Sequence, residues 1–360
     1  MIVVLGNGFD LQCGLKTTYK DFFENRYKDM AFKKLNKILE NNELFNLRKY
    51  FDEYDKSIFS VITFWDLVFM YENILKRNDG WSYIEEIISK YLSENLVTIN
   101  SIRNYKESNK LNYLISLLGY LFESKEMSFT PLAFNQWLLK QLNLLEADFA
   151  TYVRKEVESN EMYPIKADGL FTRLISNYQD SRTANTIINF NYTKPTFLIN
   201  LRNLGKSKLS NITNVHGTID DKVIFGIDEK DISKTGQYIK PSESKYLFTK
   251  TARKFNNFER ESKFRLPSKI KTIVVYGHSL NEQDYSYFQS IFDTYDIYTS
   301  KIKLVFAYSN YDKKKKIKTK LIERTIKLLK EYGKTMANPD HGNNLLHKLL
   351  LENRLIVKEV

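Results

Sequence analysis

Cysteine is almost absent from this chain: Cys13 is the only one among 360 residues. That excludes an intramolecular disulfide and any zinc site built on several cysteines, and it points to a reducing compartment. Proline and glycine are sparse, at six and 13 residues, and no low-complexity linker or internal repeat is present. Histidine is scarcer still, with four, so one at the end of a predicted strand carries weight. No apolar run approaches the roughly 18 residues of a membrane-spanning helix. The N-terminus has no basic region, and Ile2 to Leu5 is too short for the core of a signal peptide. A cytoplasmic chain without membrane contact is expected.

Hydrophobic residues make up 42% of the chain, with 24 Phe and 24 Tyr. That is enough to bury a large core and excludes a disordered chain. The net charge of +12 suggests a polyanionic partner. Lys, Asn and Ile are abundant together, however, as AT-rich coding produces. The densest basic cluster, Lys313 to Lys316 with Lys318 and Lys320, lies at the start of a predicted helix. A solvated helix face is therefore preferred to a nucleic-acid site.

The richest stretch is the first one. An apolar run, Ile2 to Leu5, stops at Gly6-Asn7-Gly8, and a helix start follows at Thr18, where Thr18-x-x-Asp21 fits a capping box. Strand, glycine turn and helix start is how doubly wound folds hold a nucleotide phosphate. The third glycine of the dinucleotide fingerprint would fall at Leu11, so the motif is incomplete.

Helical periodicity fills the chain to about residue 165: Trp65 to Leu75, Trp81 to Leu92, Leu111 to Phe122, and a long helix opening at Thr130-Pro131. The stripe of that last helix is Phe134, Leu138, Leu142, Leu145, Phe149 and Val153, and Trp65, Trp81 and Trp137 are read as core. After Pro164 strand-type runs return at 186–190, 212–215, 223–227, 273–276 and 304–308. Helical patterns at 242–260, 282–295 and 314–332 separate the later ones. The expectation is an α/β, Rossmann-like parallel sheet with a large all-helical insertion after the first βα unit. Residues 1–25 and 166–335 form the core, 26–165 the insertion and 336–360 a C-terminal helical tail.

In an open parallel sheet, ligands bind at the carboxyl ends of the strands. The polar residues there are Asn7 and Asp10, then Asn189, Asn191 and Tyr192, then His216 before Gly217, then Gly277, His278, Ser279 and Asp284. His216 suits a base or a group that orients a hydroxyl, with His278 as the runner-up. Asn191 suits orientation of a water or a ribose hydroxyl. Asp284 opens a helix, where an acid favours the dipole. No metal-ligand spacing is present, and none is expected.

Gly6-Asn7-Gly8-Phe9-Asp10-Leu11, with Gly14-Leu15-x-Thr17-x-Tyr19-x-Asp21-Phe22, resembles the opening signature of the AbiH family of phage abortive-infection proteins. So do Asn189-Phe190-Asn191-Tyr192-Thr193, Val215-His216-Gly217 and Tyr276-Gly277-His278-Ser279-Leu280-x-x-x-Asp284. The order of blocks is also similar to the sirtuin-like group, which binds nicotinamide adenine dinucleotide (NAD). That resemblance implies His216 and Asn191 as catalytic residues. It implies Gly6, Gly8 and Ser279 as NAD-binding residues, and Asn7, Asp10, Thr18, Tyr192, Gly277 and Asp284, at the same strand ends and helix start, are expected to bind NAD with them. Thr193 stands where the sirtuin-like pattern has Asp, and one cysteine rules out its zinc ribbon. The implied activity is cleavage of the nicotinamide–ribose bond with water as acceptor. The rivals are an NAD or ADP-ribose sensor without turnover and a nucleic-acid-directed effector. Self-assembly, or contact with a defence partner, is expected through the helical insertion.

Overall fold

The computed structural model of the chain describes residues 1–30, 32–33, 37, 61–72, 82–93, 131–176, 178, 185–195, 209–227, 239–255, 266–310 and 316–360. They fall into two units. The first takes residues 1–17, 153–221 and 262–360, and the second takes 18–152 and 222–261.

The first unit is built on six parallel strands: β1 (Ile2–Leu5), β2 (Asn185–Asn189), β3 (Leu209–Asn214), β4 (Thr272–Tyr276), β5 (Lys303–Tyr308) and β6 (Leu355–Glu359). Their order across the sheet is β3-β2-β1-β4-β5-β6. Ile2 pairs with Thr186 on one side and Ile273 on the other, and Leu5 with Asn189 and Tyr276. The sequence therefore runs outward from β1 in one direction, then returns to β1 and runs outward in the other. This is the doubly wound order, and β1 and β4 lie either side of the reversal, the switch point at whose carboxyl end such folds bind ligands.

A parallel sheet is covered on both faces, so its strands read as continuous apolar runs. All four residues of β1 are wholly buried. Ile2 and Val4 face a core shared with α8 (Tyr285–Thr294), α9 (Ile317–Lys334) and α10 (Pro339–Leu351). Val3 and Leu5 face α1 (Gly8–Gln12) and α6 (Tyr163–Ile175). Each such side chain is worth roughly 1.5–3 kcal/mol of burial.

In the second unit, α2 (Tyr19–Arg26) and α3 (Phe64–Tyr71) both open with capping boxes, Thr18 with Asp21 and Thr63 with Asp66. Two further helices are α4 (Ser82–Ser93) and α5 (Pro131–Ser159), the latter ending in the first unit. The predicted α5 stripe is buried. Arg26 grips Asp66 through Nε and Nη2, each at 2.7 Å, and reaches Asp148 with Nη1. Glu146 and Arg253 form an ion pair whose side chains are each only 2% exposed. Phe225 donates its amide to the same carboxylate at 2.6 Å. Trp65 is buried and donates to the Leu138 carbonyl at 3.1 Å. Trp137 is half-buried, and Trp81 lies outside the described residues.

Several expectations are corrected. The chain enters α1 immediately after Asn7 rather than running as a loop to Thr18. The apolar run 223–227 is not a sheet strand. It makes one isolated bridge, Ile227 to Thr249, and belongs to the second unit, where Phe225 packs on Tyr19 and Phe149. The helix expected over 242–260 divides into a 3-10 turn, Ser244–Phe248, and α7 (Lys250–Phe255). α6, with Pro164 in its first turn, was not foreseen. The expected helical tail holds α10, but then turns into β6, an edge strand paired with β5. The helix expected at 111–122 and Lys313 to Lys315 lie outside the described residues.

Candidate functional site

The turns after β1 and β4 pack directly on each other. Gly6 donates its amide to the Tyr276 carbonyl at 2.9 Å and Gly8 to the Gly277 carbonyl at 2.8 Å. Gly277 adopts φ +69°, and a Cβ there would lie 2.5 Å from the Phe9 nitrogen; a Cβ on Gly6 would lie 2.4 Å from the His278 Cα. These glycines are required by backbone-to-backbone approach. Two of the three amides of the turn are thereby committed, and among the described residues only that of Asn7 has no backbone acceptor. The Asn7 carboxamide oxygen accepts from the Thr17 hydroxyl at 2.7 Å. Thr18 caps α2 in the second unit, its hydroxyl exchanging bonds with Asp21.

Asp10 is buried in α1 and accepts hydrogen bonds from Tyr163 Oη at 2.9 Å and Thr193 Oγ1 at 2.6 Å. Loss of hydration raises its carboxyl from the ordinary 3.8 to about 6, against the lowering effect of both donors. The Cys13 thiol is pushed up to about 12, mainly by burial and then by the nearby Asp10 charge.

The exits of β2 and β3 are stitched together. Val215 donates to the Asn189 carbonyl at 2.8 Å and Ile219 to the Tyr192 carbonyl at 3.0 Å. Asn214 Nδ2 donates to the carbonyls of Asn191 and Thr193 at 2.7 and 2.9 Å. Asn189 closes the turn by donating to the Thr193 carbonyl and accepting from the Asn191 amide. Asn191 is buried, and its Oδ1 has no hydrogen-bond partner among the described residues. A buried acceptor left in that state costs about 1–3 kcal/mol, and a water or ligand donor would relieve it.

At the neighbouring edge one carboxylate meets two imidazoles. His216 Nε2 lies 3.2 Å from Asp284 Oδ1, and His278 Nε2 lies 3.4 Å from Asp284 Oδ2. The amide of Leu280 donates to His278 Nδ1 at 2.9 Å. Leu280 itself holds φ +53°, a conformation an L side chain adopts at a cost of about 1–2 kcal/mol. The Phe190 ring stands in a T-shaped arrangement with both imidazoles, with centroids 5.5 Å from His216 and 4.4 Å from His278. Tyr287 stands against His216. Asp284 does not cap α8 with its side chain; the carboxylate is turned to the histidines.

The sheet thus brings Gly6, Asn7, Gly8, Asp10, Asn191, Tyr192, His216, Gly277, Ser279 and Asp284 to the carboxyl ends of β1–β4. His216, Asn191 and Tyr192 are nearly sealed, whereas Asn7, Gly8, Gly277, Ser279 and Asp284 keep part of their surface exposed. Thr18 is the outlier, spent on its own helix. Sequence reasoning did not see that Asp284 joins two histidines, that Thr193 ties to Asp10, or that Tyr163 takes part. The spacing His278 to Asp284 held a clue to the first; nothing local marked Tyr163.

The family model described as "Bacteriophage abortive infection AbiH" matches residues 2–308. The chain therefore belongs to the AbiH family. No curated protein and no solved structure matches it. Among the described residues no helix is long and apolar enough to cross a membrane.

Proposed function

We propose that this AbiH-family chain acts in abortive infection by hydrolysing NAD at the nicotinamide–ribose bond. The supporting observation is the meeting of segments 189–193 and 215–217 at the carboxyl end of a sheet ordered β3-β2-β1-β4-β5-β6. Doubly wound sheets take dinucleotides at the carboxyl ends of their strands. The Asn191 oxygen, without a hydrogen-bond partner among the described residues, suits a water that donates to it.

In the proposed reaction the bond from C1′ to the pyridinium nitrogen breaks, and its electron pair returns to the ring as neutral nicotinamide leaves. The oxygen of a water held by Asn191 bonds to C1′, and its proton passes to His216. The charged leaving group supplies its own driving force, so the chain has to orient ribose and water and exclude bulk solvent. The wall of Phe190 and Tyr287 beside His216 suits the last task. With the Gly6 and Gly8 amides engaged, the pyrophosphate would rest on the open rim at Asn7, Gly277 and Ser279.

The test is direct: purified protein is incubated with NAD and free nicotinamide is measured. Release is expected, and its absence over prolonged incubation ends the proposal. A second reading, binding of NAD or ADP-ribose without turnover, is favoured by Thr193. Its hydroxyl points inward to Asp10 rather than toward a ribose. Calorimetric binding without nicotinamide release selects it.

A further inference from the structure

One carboxylate touching two histidines raises the question of which histidine exchanges protons. The Leu280 amide answers it for His278. An N–H donated to Nδ1 at 2.9 Å requires a lone pair on that nitrogen, which leaves the ring proton on Nε2, the atom facing Asp284 Oδ2 at 3.4 Å. A second proton on His278 would break the Leu280 bond. That bond is maintained by a backbone held at φ +53°, with Leu280 buried in the core. His278 is therefore held with its Nδ1 as the acceptor and its Nε2 turned to Asp284. The arrangement also opposes a metal site, because a ligating imidazole donates through its outer nitrogen and leaves the inner one bare.

His216 has the complementary place. Its Nε2 meets the other carboxylate oxygen at 3.2 Å, so the carboxylate draws the ring proton to Nε2 and makes Nδ1 the basic atom. We infer that His278, Asp284 and His216 form a relay of position: His278 fixes Asp284, and Asp284 sets the tautomer and orientation of His216. Asp284 and His278 are then positioning residues rather than nucleotide ligands. This rests on the reading of His216 as the base, but its central claim, the tautomer, can be measured without turnover.

Two variants of His278 separate the contacts. His278→Asn keeps an acceptor near the Nδ1 position for the Leu280 amide but does not reach Asp284. His278→Gln places a donor near the Nε2 position. With ¹⁵N-histidine in the full chain, the wild type and His278→Gln are expected to show the Nε2–H tautomer at His216. His278→Asn and Asp284→Asn should show a mixture, with cooperative melting retained. Where nicotinamide release is measurable, kcat falls about 10- to 100-fold in His278→Asn with KM unchanged, the scale of a lost orienting partner. His278→Gln recovers most of it. Asp284→Asn moves the acidic limb of the pH–rate profile to lower pH, because a charge that favours imidazolium is gone.

A wild-type His216 in the Nδ1–H form, His278→Asn spectra identical to wild type at His216, or joint shifts of both rings on adding Zn²⁺ would each overturn the relay. Absence of nicotinamide release would overturn the proposed function instead and leave the tautomer measurement to judge the relay.

Discussion

Thr193 Oγ1 donates a 2.6 Å hydrogen bond to Asp10 Oδ2 from 183 residues further along the chain. It joins the exit of β2 to the helix that follows β1. Tyr163, on α6, completes the cluster by donating to the other carboxylate oxygen, Oδ1.

Asp10 should make stability pH-dependent. Its carboxyl moves from 3.8 to about 6 because burial penalises the charge more than the two donors relieve it. The folded chain therefore holds that proton more tightly than the unfolded one. The contribution is fully present below the ordinary value and is lost as pH rises through about 6, amounting to on the order of 3 kcal/mol. Asp10→Asn cannot ionise. Urea midpoints should fall from about pH 5 to about pH 7.5 in the wild type and stay nearly level in the variant. Equal slopes would show that Asp10 is not the group responsible.

His216 and Asn191 should separate activity from stability. His216→Ala is expected to lower nicotinamide release by roughly 10²- to 10⁴-fold. Asn191→Ala should also abolish it. Because Asn191 Oδ1 has no partner among the described residues, its removal should leave the melting temperature unchanged or raised. A substantially lower melting temperature would identify Asn191 as a structural residue.

Gly277 should tolerate no side chain. At φ +69° a Cβ would sit 2.5 Å from the Phe9 nitrogen and 2.8 Å from the Gly8 carbonyl carbon. Both obstacles are backbone and cannot rotate away. Gly277→Ala should destabilise by more than about 2 kcal/mol in chemical denaturation. A loss under about 0.5 kcal/mol would mean that the two turns separate easily.

The Glu146–Arg253 pair should be costly to halve. Removing one partner leaves a charge in a site where both side chains are 2% exposed, and about 3–5 kcal/mol is expected from Glu146→Gln or Arg253→Met alone. Changing both to Met should recover much of that loss. A double variant as unstable as the sum of the singles would show that the pair is not the organising contact.

The strands and caps were legible because their signals are local. Ile2 to Leu5 is apolar without a break because both faces of a parallel strand are covered, and Thr18-x-x-Asp21 caps a helix wherever that helix lies. The ends of β1, β2, β3 and β4 could then be listed, and His216, Asn191, Asp284 and the glycines came with them. β6 was missed because five residues after a helix carry too little pattern to oppose a helical reading. The run at 223–227 was misread because a buried loop packed on Tyr19 and Phe149 is as apolar as a strand.

Alternation, capping and turn chemistry are written in neighbouring residues, so the sequence alone determined a parallel α/β sheet beginning at residue 2. Which residues touch was decided only by tertiary structure, because those contacts join segments tens to hundreds of residues apart. It turned the Asp284 carboxylate from its helix end to two histidines, sent the Thr193 hydroxyl inward to Asp10, and spent the Gly6 and Gly8 amides on the neighbouring turn. A side chain takes the partner that folding brings within about 3 Å, and no spacing along the chain encodes that choice.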